Sequence, residues 1–527
     1  MMSMRLTGIA RSLMAAALAA AVLAAPLASA WQADNGDGTY TNPPLNADYP
    51  DPDVIRVGED FYFATTTFAN APGLRILHSR DLVNWTIAGH VLPRLPGGPA
   101  FNLDGGNVYR RGVYAPSLRF HQGEFIVAFT VVGQHTRLCR AAQVAGPWRC
   151  HTLDRAAFDP ALFFDTDGRA YIATAIGSDG TVTLLSLSPD LTRVTEARQI
   201  HHIPGAEGSK LIRRGDWIYL FNAVPRRLAM TISRARALTG PWETIPSINS
   251  AETGGHQGAI VDLADGRWWG FVMQDRPAIG RVTNFSPIFW RDDWPVWGTP
   301  EAPGRVPAIA RKPVQGRPRA APATSDSFDA PQLGLQWAWN HNPDDTRWSL
   351  TERPGFLRLK ATTARSFWTA RNTLTQKGQG PYSRADAQLD LRGLAAGDRC
   401  GLGTLGKVNA GIAAVRAADG SLSLQRHTLI DHGDSQDATA LPGPAVPLAA
   451  SRVTLRLEMD FRRARGRLSW LDGSQAQPLG DEFELIYDWR TGTFQGPQVA
   501  LFCFNPSRAG GHLDVDSVQF SDRPPAD

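Results

Sequence analysis

Residues 51–67 read DPDVIRVGEDFYFATTT: an acidic start, an apolar strand, a charged turn around Gly58, then a second strand rich in aromatics. The same plan returns four times, as APSLRFHQGEFIVAFT (115–130), DPALFFDTDGRAYIATA (159–175), EGSKLIRRGDWIYLFNA (207–223) and HQGAIVDLADGRWWGFV (256–272), with successive starts roughly 44 to 64 residues apart. A unit of this length, built of short strands and Gly or Asp turns, cannot bury its apolar face alone. Stacking such units around an axis makes a β-propeller, and five copies predict five blades. The outer hairpins repeat too, as SRDLVNW (79–85), AGPWRC (145–150), SPDLTRV (188–194) and LTGPWET (238–244), whose tryptophans are expected to wedge between blades.

Outward from the repeats, the chain divides. At 527 residues it is too long for one core. Residues 300–324, PEAPGRVPAIARKPVQGRPRAAPAT, are Pro-rich without apolar period and predict an extended connection over the surface. The propeller is thus expected over 31–299 and a second domain over 325–527. In that second domain FLRLKAT (356–362), RADAQLDLR (384–392), RVTLRLEMDF (452–461), GRLSWLD (466–472) and HLDVDSVQF (512–520) alternate apolar and polar residues, the pattern of a β-sandwich whose sheets each bury one face. The whole chain reads as all-β.

At the N-terminus, Arg5 and Arg11 precede the apolar stretch 12–24 and a small-residue site, Ala28-Ser29-Ala30, before Trp31. This predicts a secretory signal peptide over 1–30 and a secreted or periplasmic protein, with no membrane partner after cleavage, since the apolar run falls short of the roughly 20 residues a span needs. Removing both arginines from a chain of 54 basic and 50 acidic residues leaves it nearly neutral. With no basic run or nucleic-acid motif, a phosphate backbone is a poor partner. An oxidising compartment makes disulfides plausible for the four cysteines, Cys139 with Cys150 across an expected hairpin and Cys400 with Cys503 within the second domain.

In a propeller the first strand of each blade lines the central channel, so equivalent positions at the start of each repeat converge. Those positions hold Asp51, Ala115, Asp159, Glu207 and His256. Singly each has a structural explanation, a turn former or a loop charge. Jointly, three carboxyls and an imidazole in register predict a functional site. Three carboxyls without a nucleophilic Ser or Cys, a phosphate loop or a redox motif suit glycosidic-bond hydrolysis, in which one carboxylic acid protonates the leaving oxygen and one carboxylate activates water. A third, close by, raises the acid's pKa by repulsion.

NPPLNADYPDPDVIRVGEDFYFATTTF (42–68), followed by ILHSRDLVNW, together with FDPALFFDTDGRAYI and AEGSKLIRRGDWIYL, resembles glycoside hydrolase family 43, five-bladed propeller enzymes acting on arabinose- and xylose-containing polysaccharides. The resemblance implies an inverting mechanism with Asp51 as general base, Asp159 as pKa modulator and orienter, and Glu207 as general acid, the base and acid standing roughly 6.5 to 9.5 Å apart. It implies that Arg281 reaches sugar hydroxyls and helps hold the acidic cluster, and that Phe68 and Tyr114 wall the sugar pocket. It also implies that His256 contacts a central structural calcium through water, with no cofactor for the chemistry. The second half resembles the concanavalin A-like sandwich of the family's β-xylosidases and arabinofuranosidases, which closes one side of the cleft and favours exo action on an oligosaccharide or polysaccharide end. One departure stands out: Ala-Glu-Gly-Ser-Lys at 206–210, where many β-xylosidases have Thr-Glu-Gly-Pro-His. A retaining fructosidase-type propeller is disfavoured because its Arg-Asp-Pro and Glu-Cys motifs are absent. A non-catalytic carbohydrate-binding propeller is disfavoured by the intact Asp51, Asp159 and Glu207.

Overall fold

The computed structural model describes residues 31–246, 255–431, 439–441, 443–491, 494–508 and 510–522; the signal sequence expected over 1–30 lies outside them. Among these residues the propeller is five antiparallel sheets, each built from one continuous segment. Blade I comprises Asp53–Val57, Asp60–Thr65, Gly73–Ser79 and Trp85–Leu92; blade II runs from Ser117–His121 to Arg149–Thr152, blade III from Ala161–Phe164 to Val194–His202, and blade IV from Glu207–Arg214 to Glu243–Pro246. Blade V adds a fifth strand, Ala302–Pro303, beyond Trp294–Thr299. Each quoted repeat is the inner hairpin of one blade. The tryptophans of the outer hairpins are packed, Trp85 completely, with its Nε1 donating to the Leu82 carbonyl at 3.0 Å.

Within residues 300–324, Ala302–Pro303 belongs to blade V and the chain beyond it is held against the propeller. Ile309–Arg311 pairs antiparallel with Thr39–Thr41, and Lys312 is buried against Asp34 at 2.6 Å and Asp81 at 3.3 Å.

The sandwich explains its own sequence pattern. All five alternating segments fall in one sheet, as Leu357–Lys360, Tyr382–Asp390, Arg452–Asp460, Arg465–Asp472 and His512–Ser521. One face of this sheet is wet, so polar and apolar residues alternate. The other sheet contains Val408–Arg416, Arg399–Leu405, Gln498–Asn505, Leu374–Lys377 and Ala338–Asn340, strands in which nearly every residue is buried, and continues beyond them to the more exposed Leu422–Ile430. Its two faces serve different cores. Val499, Leu501 and Cys503 point into the sandwich with Leu402 and Ile412, whereas Ala500, Phe502 and Phe504 pack with Phe129, Val131 and Leu118 of blade II. The sheet ends on a strand of the propeller itself: Asn70–Ala71, from the loop inside blade I, pairs with Ala338–Asn340. Tyr109 stacks on Trp368 across the same boundary, ring centroids 3.5 Å apart.

The structure joins Cys139 to Cys150 and Cys400 to Cys503, each between directly opposed residues of neighbouring antiparallel strands.

Candidate active site

The repeat places its leading residues around one cavity of about 410 Å³, lined by Asp51, Asp159, Glu207, His256 and Arg281 together with Phe68 and Tyr114. Ala115, the blade II equivalent, is buried and contributes no polar group. At each functional position the backbone is irregular in the same way. Asp51 and Asp159, two residues before their strands, adopt φ of 55° and 43°. In blades IV and V the residue after the functional one does so, Gly208 at 58° and Gln257 at 51°, each within a register shift of the inner ladder. A left-handed non-glycine residue costs about 1 to 2 kcal/mol, so something must hold it. Thr65 Oγ1 donates to the carbonyl of Pro50 at 2.5 Å, and Thr174 Oγ1 to that of Phe158 at 2.6 Å. In both cases a threonine of the blade's second strand fixes the peptide just before the aspartate.

Arg281 is the hub. Its Nη1 lies 2.9 Å from Asp51 Oδ1, its Nη2 donates to the Phe494 carbonyl at 3.1 Å, and its guanidinium sits over the Phe68 ring. Its backbone N–H donates to Asp48 Oδ1 at 2.7 Å. Only glycine fits before it: at Gly280, with φ 111°, a Cβ would stand 2.4 Å from that Asp48 oxygen. Asp48 Oδ2 accepts from Gly496 N at 3.1 Å, so one carboxylate ties Arg281 to the sandwich.

The electrostatics follow from burial and charge. Burial pushes the Asp51 carboxyl up, opposed by Arg281, Lys210 and His256. Burial, then the charges of Glu207 and Asp51, push Asp159 well above the usual carboxylate range. Glu207 is raised by burial and by Asp51. Asp51 therefore has a direct guanidinium partner, while among the described residues Glu207 has no salt bridge. Burial would also raise Asp275, but the hydrogen bond from His256 Nε2, at 3.1 Å, brings its carboxyl below the ordinary value.

Sequence reasoning missed several groups. Tyr487, Trp489 and Phe494 of the sandwich line the cavity, and Phe494 packs its ring against Phe68 and Tyr114. These loop residues lie outside any periodic segment, so no pattern marked them. Asp48 precedes the Tyr-Pro-Asp-Pro motif, and Lys210 was visible only as the departure in the acid motif. Among the described residues, His256 Nδ1, Gln257 Nε2, Arg281 Nε and Tyr487 Oη are buried and find no hydrogen-bond partner. Such orphaned polar groups in a cavity suit a ligand dense in hydroxyls.

The comparison with known proteins agrees with this geometry. Residues 40–295 match glycosyl hydrolases family 43, and residues 325–521 match the β-xylosidase C-terminal concanavalin A-like domain. A β-xylosidase of Formosa agariphila is 30% identical over 92% of this chain and 90% of its own. The chain belongs to glycosyl hydrolases family 43. Another family relative, a non-reducing end α-L-arabinofuranosidase of Bacteroides ovatus, is 33% identical over 62% of this chain and 65% of its own. A solved family 43 enzyme, engineered to display both endo-xylanase and exo-arabinofuranosidase activity, superposes with a TM-score of 0.85 at 28% identity, covering 92% of this chain and 99% of that one. The chain is thus a glycosidase with the expected all-β architecture.

The resemblance implies that His256 contacts a calcium through water, and His256 does line the cavity. Among the described residues no group of three or more His, Cys, Asp or Glu is placed to hold a metal ion. His256 gives its Nε2 to Asp275 Oδ1 at 3.1 Å. The described residues therefore offer no cage of direct side-chain ligands, and no chemical step is routed through a metal.

Proposed function

We propose that this family 43 glycosidase is an exo-acting, inverting hydrolase that releases a pentose, β-D-xylose or α-L-arabinofuranose, from the non-reducing ends of plant cell-wall oligosaccharides. The carrying observation is the cavity: three converging carboxyls, closed on one side by Tyr487, Trp489 and Phe494 of the sandwich. A long glycan cannot thread past such a wall, so a chain end enters. At about 410 Å³ the space is at the small end of the roughly 300 to 1,000 Å³ typical of small-ligand sites. The names of the relatives, a β-xylosidase and an α-L-arabinofuranosidase, supply the sugar class.

In this reading Asp51, kept ionised by Arg281, takes a proton from water. Glu207, which has no salt bridge among the described residues and is raised by burial, keeps its proton and delivers it to the leaving oxygen. Burial and the charge of Asp51 raise Glu207, which favours the protonated acid. Phe68 and Tyr114 form the apolar wall of the sugar site, and Arg281 reaches both the base and the sugar. Residues 1–30 act as an export signal, removed before Trp31, which places the enzyme in the periplasm or outside the cell; N-terminal sequencing of exported material checks this.

The test is a panel of 4-nitrophenyl β-D-xyloside, α-L-arabinofuranoside and galactoside with linear xylo- and arabino-oligosaccharides. Monosaccharide from the first time point supports the proposal. Early accumulation of internal fragments rejects exo action, and inactivity on both pentosides rejects the substrate class.

A further inference from the structure

The position of Arg281 is set by the segment that carries the base. Its backbone N–H donates to Asp48 Oδ1 at 2.7 Å and its carbonyl accepts from the N–H of Tyr49 at 2.9 Å, so residues 48–49, just ahead of Asp51, clamp Arg281 on both sides of its Cα. The other Asp48 oxygen faces the second domain: Oδ2 accepts from Gly496 N at 3.1 Å and lies 3.8 Å from the Lys377 ammonium. Arg281 Nη2 reaches the same stretch of the sandwich, on the Phe494 carbonyl at 3.1 Å. These contacts close a circuit, from Asp48 to Arg281, on to Phe494, along the chain to Gly496 and back to Asp48. The Asp48 side chain is 5% exposed and packs so tightly that Gly280 has no room for a Cβ. A carboxylate buried this deeply needs its hydrogen bonds. Both come from parts the site needs in place: the arginine that grips Asp51, and the loop whose Phe494 ring lines the cavity.

We propose that Asp48 is a positioning residue for the base: its one carboxylate holds Arg281 and the Phe494–Gly496 stretch together, so that the Arg281–Asp51 pair depends on the docking of the second domain. This rests on reading Asp51 as the base. Asp48 does not line the cavity and acts through Arg281. Its two effects on Asp51 have opposite signs. The negative charge of Asp48 by itself raises the Asp51 carboxyl, while Arg281 is the foremost charge that lowers it. Losing the charge alone would move the acidic limb of kcat/KM against pH down, whereas releasing Arg281 moves it up. The other charged and titratable groups that bear on Asp51 are His256 of blade V and Lys210 of blade IV, with Asp159, Glu207, Tyr114 and Tyr487 around the cavity. Those that bear on Asp48 are Lys377, Arg281, Tyr49 and Tyr487.

The experiment is Asp48→Asn, alone and combined with Arg281→Met. A carboxamide has one acceptor oxygen and a donor nitrogen, so it keeps one of the two N–H contacts and sets N–H against N–H at the other. We expect kcat/KM for an aryl pentoside to fall roughly 10- to 100-fold and its acidic limb to move up, with no further upward movement when Asp48→Asn is added to Arg281→Met. Hydrogen exchange read by mass spectrometry should quicken in peptides spanning 277–283 and 494–498 alike, because the circuit is broken at one point. Should Asp48→Asn not fold, Asp48→Ser, which has one oxygen where Asp48 has two, is read in the same way. A folded variant whose acidic limb moves down or stays, or whose upward shift persists without Arg281, overturns the proposal, as does exchange that quickens in one segment only or in neither. Inactivity of the wild type on every pentoside, or turnover that survives Asp51→Asn, would count against the proposed function instead, and the exchange rates would still decide whether Asp48 ties Arg281 to the second domain.

Discussion

Arg281→Met isolates the largest favourable charge on the base. In the wild type the Arg281–Asp51 pair is 2.9 Å apart, with side chains only 12% and 7% exposed. At an effective dielectric of about 20, unit charges at that distance attract by about 6 kcal/mol. Desolvation offsets much of this, and the net effect of Arg281 is to hold the Asp51 carboxyl lower than burial alone would set it. The sign is fixed: without Arg281 the Asp51 carboxyl rises further, the base is protonated over a wider range, and the acidic limb of kcat/KM moves up. At a pH below both limbs the ionised fraction falls about tenfold for every unit the carboxyl rises, beyond any constant loss from a missing sugar contact. The assay is kcat/KM for an aryl pentoside from acid to alkaline pH, since this parameter reports the free enzyme's groups, with Tm measured alongside because breaking a buried pair costs about 3 to 5 kcal/mol. A loss equal at every pH, with the limb unmoved, would show that Arg281 serves the sugar alone.

Asp51→Asn should abolish turnover of every substrate, whereas Glu207→Gln should spare aryl glycosides with good leaving groups, and proton NMR of fresh product should show the inverted anomer; a retained anomer would make Asp51 a nucleophile. Asp159→Asn should lower activity and move the basic limb down, because Glu207 then ionises more easily. A carboxyl raised on folding contributes stability below its unfolded pKa and loses that contribution as pH rises through the folded one, so this variant should also melt roughly 1 to 3 °C above wild type at neutral and alkaline pH, which calorimetry reads. Replacing Cys400 and Cys503 by alanine opens a loop of 103 residues and should cost about 2 to 5 kcal/mol in denaturant melts, more than removing the Cys139–Cys150 bridge, whose ends are 11 residues apart; equal losses would contradict the loop-length argument.

The propeller was legible because each inner hairpin repeats one sequence plan, and repetition carries position: Asp51, Asp159, Glu207 and His256 could be brought together before any coordinates. The wet sheet of the sandwich was legible from its alternation. The second sheet was not, since Val408–Arg416 and Gln498–Asn505 are buried on both faces, and period-two patterning vanishes when neither face meets water. The same burial hid the part of the site contributed by the second domain. Tyr487, Trp489 and Phe494 matter for where a loop carries them, and loop geometry has no period to read. Lys210 was conspicuous as a letter out of place in a motif, but its burial, with Nζ on the Pro116 carbonyl of the neighbouring blade, became visible only in three dimensions.

The Asn70–Ala71 strand that terminates the sandwich sheet makes the two halves inseparable as working parts. A gene cut at residue 324 would divide the sequence cleanly, yet neither product would inherit a finished surface. The propeller fragment would present Phe129 and Val131 to water, and the sandwich fragment Phe502 and Phe504 beside an open strand edge, a template for aggregation. Shuffling catalytic heads onto foreign tails is therefore constrained here: a graft must carry the face of the sheet along with the loop that lines the cavity.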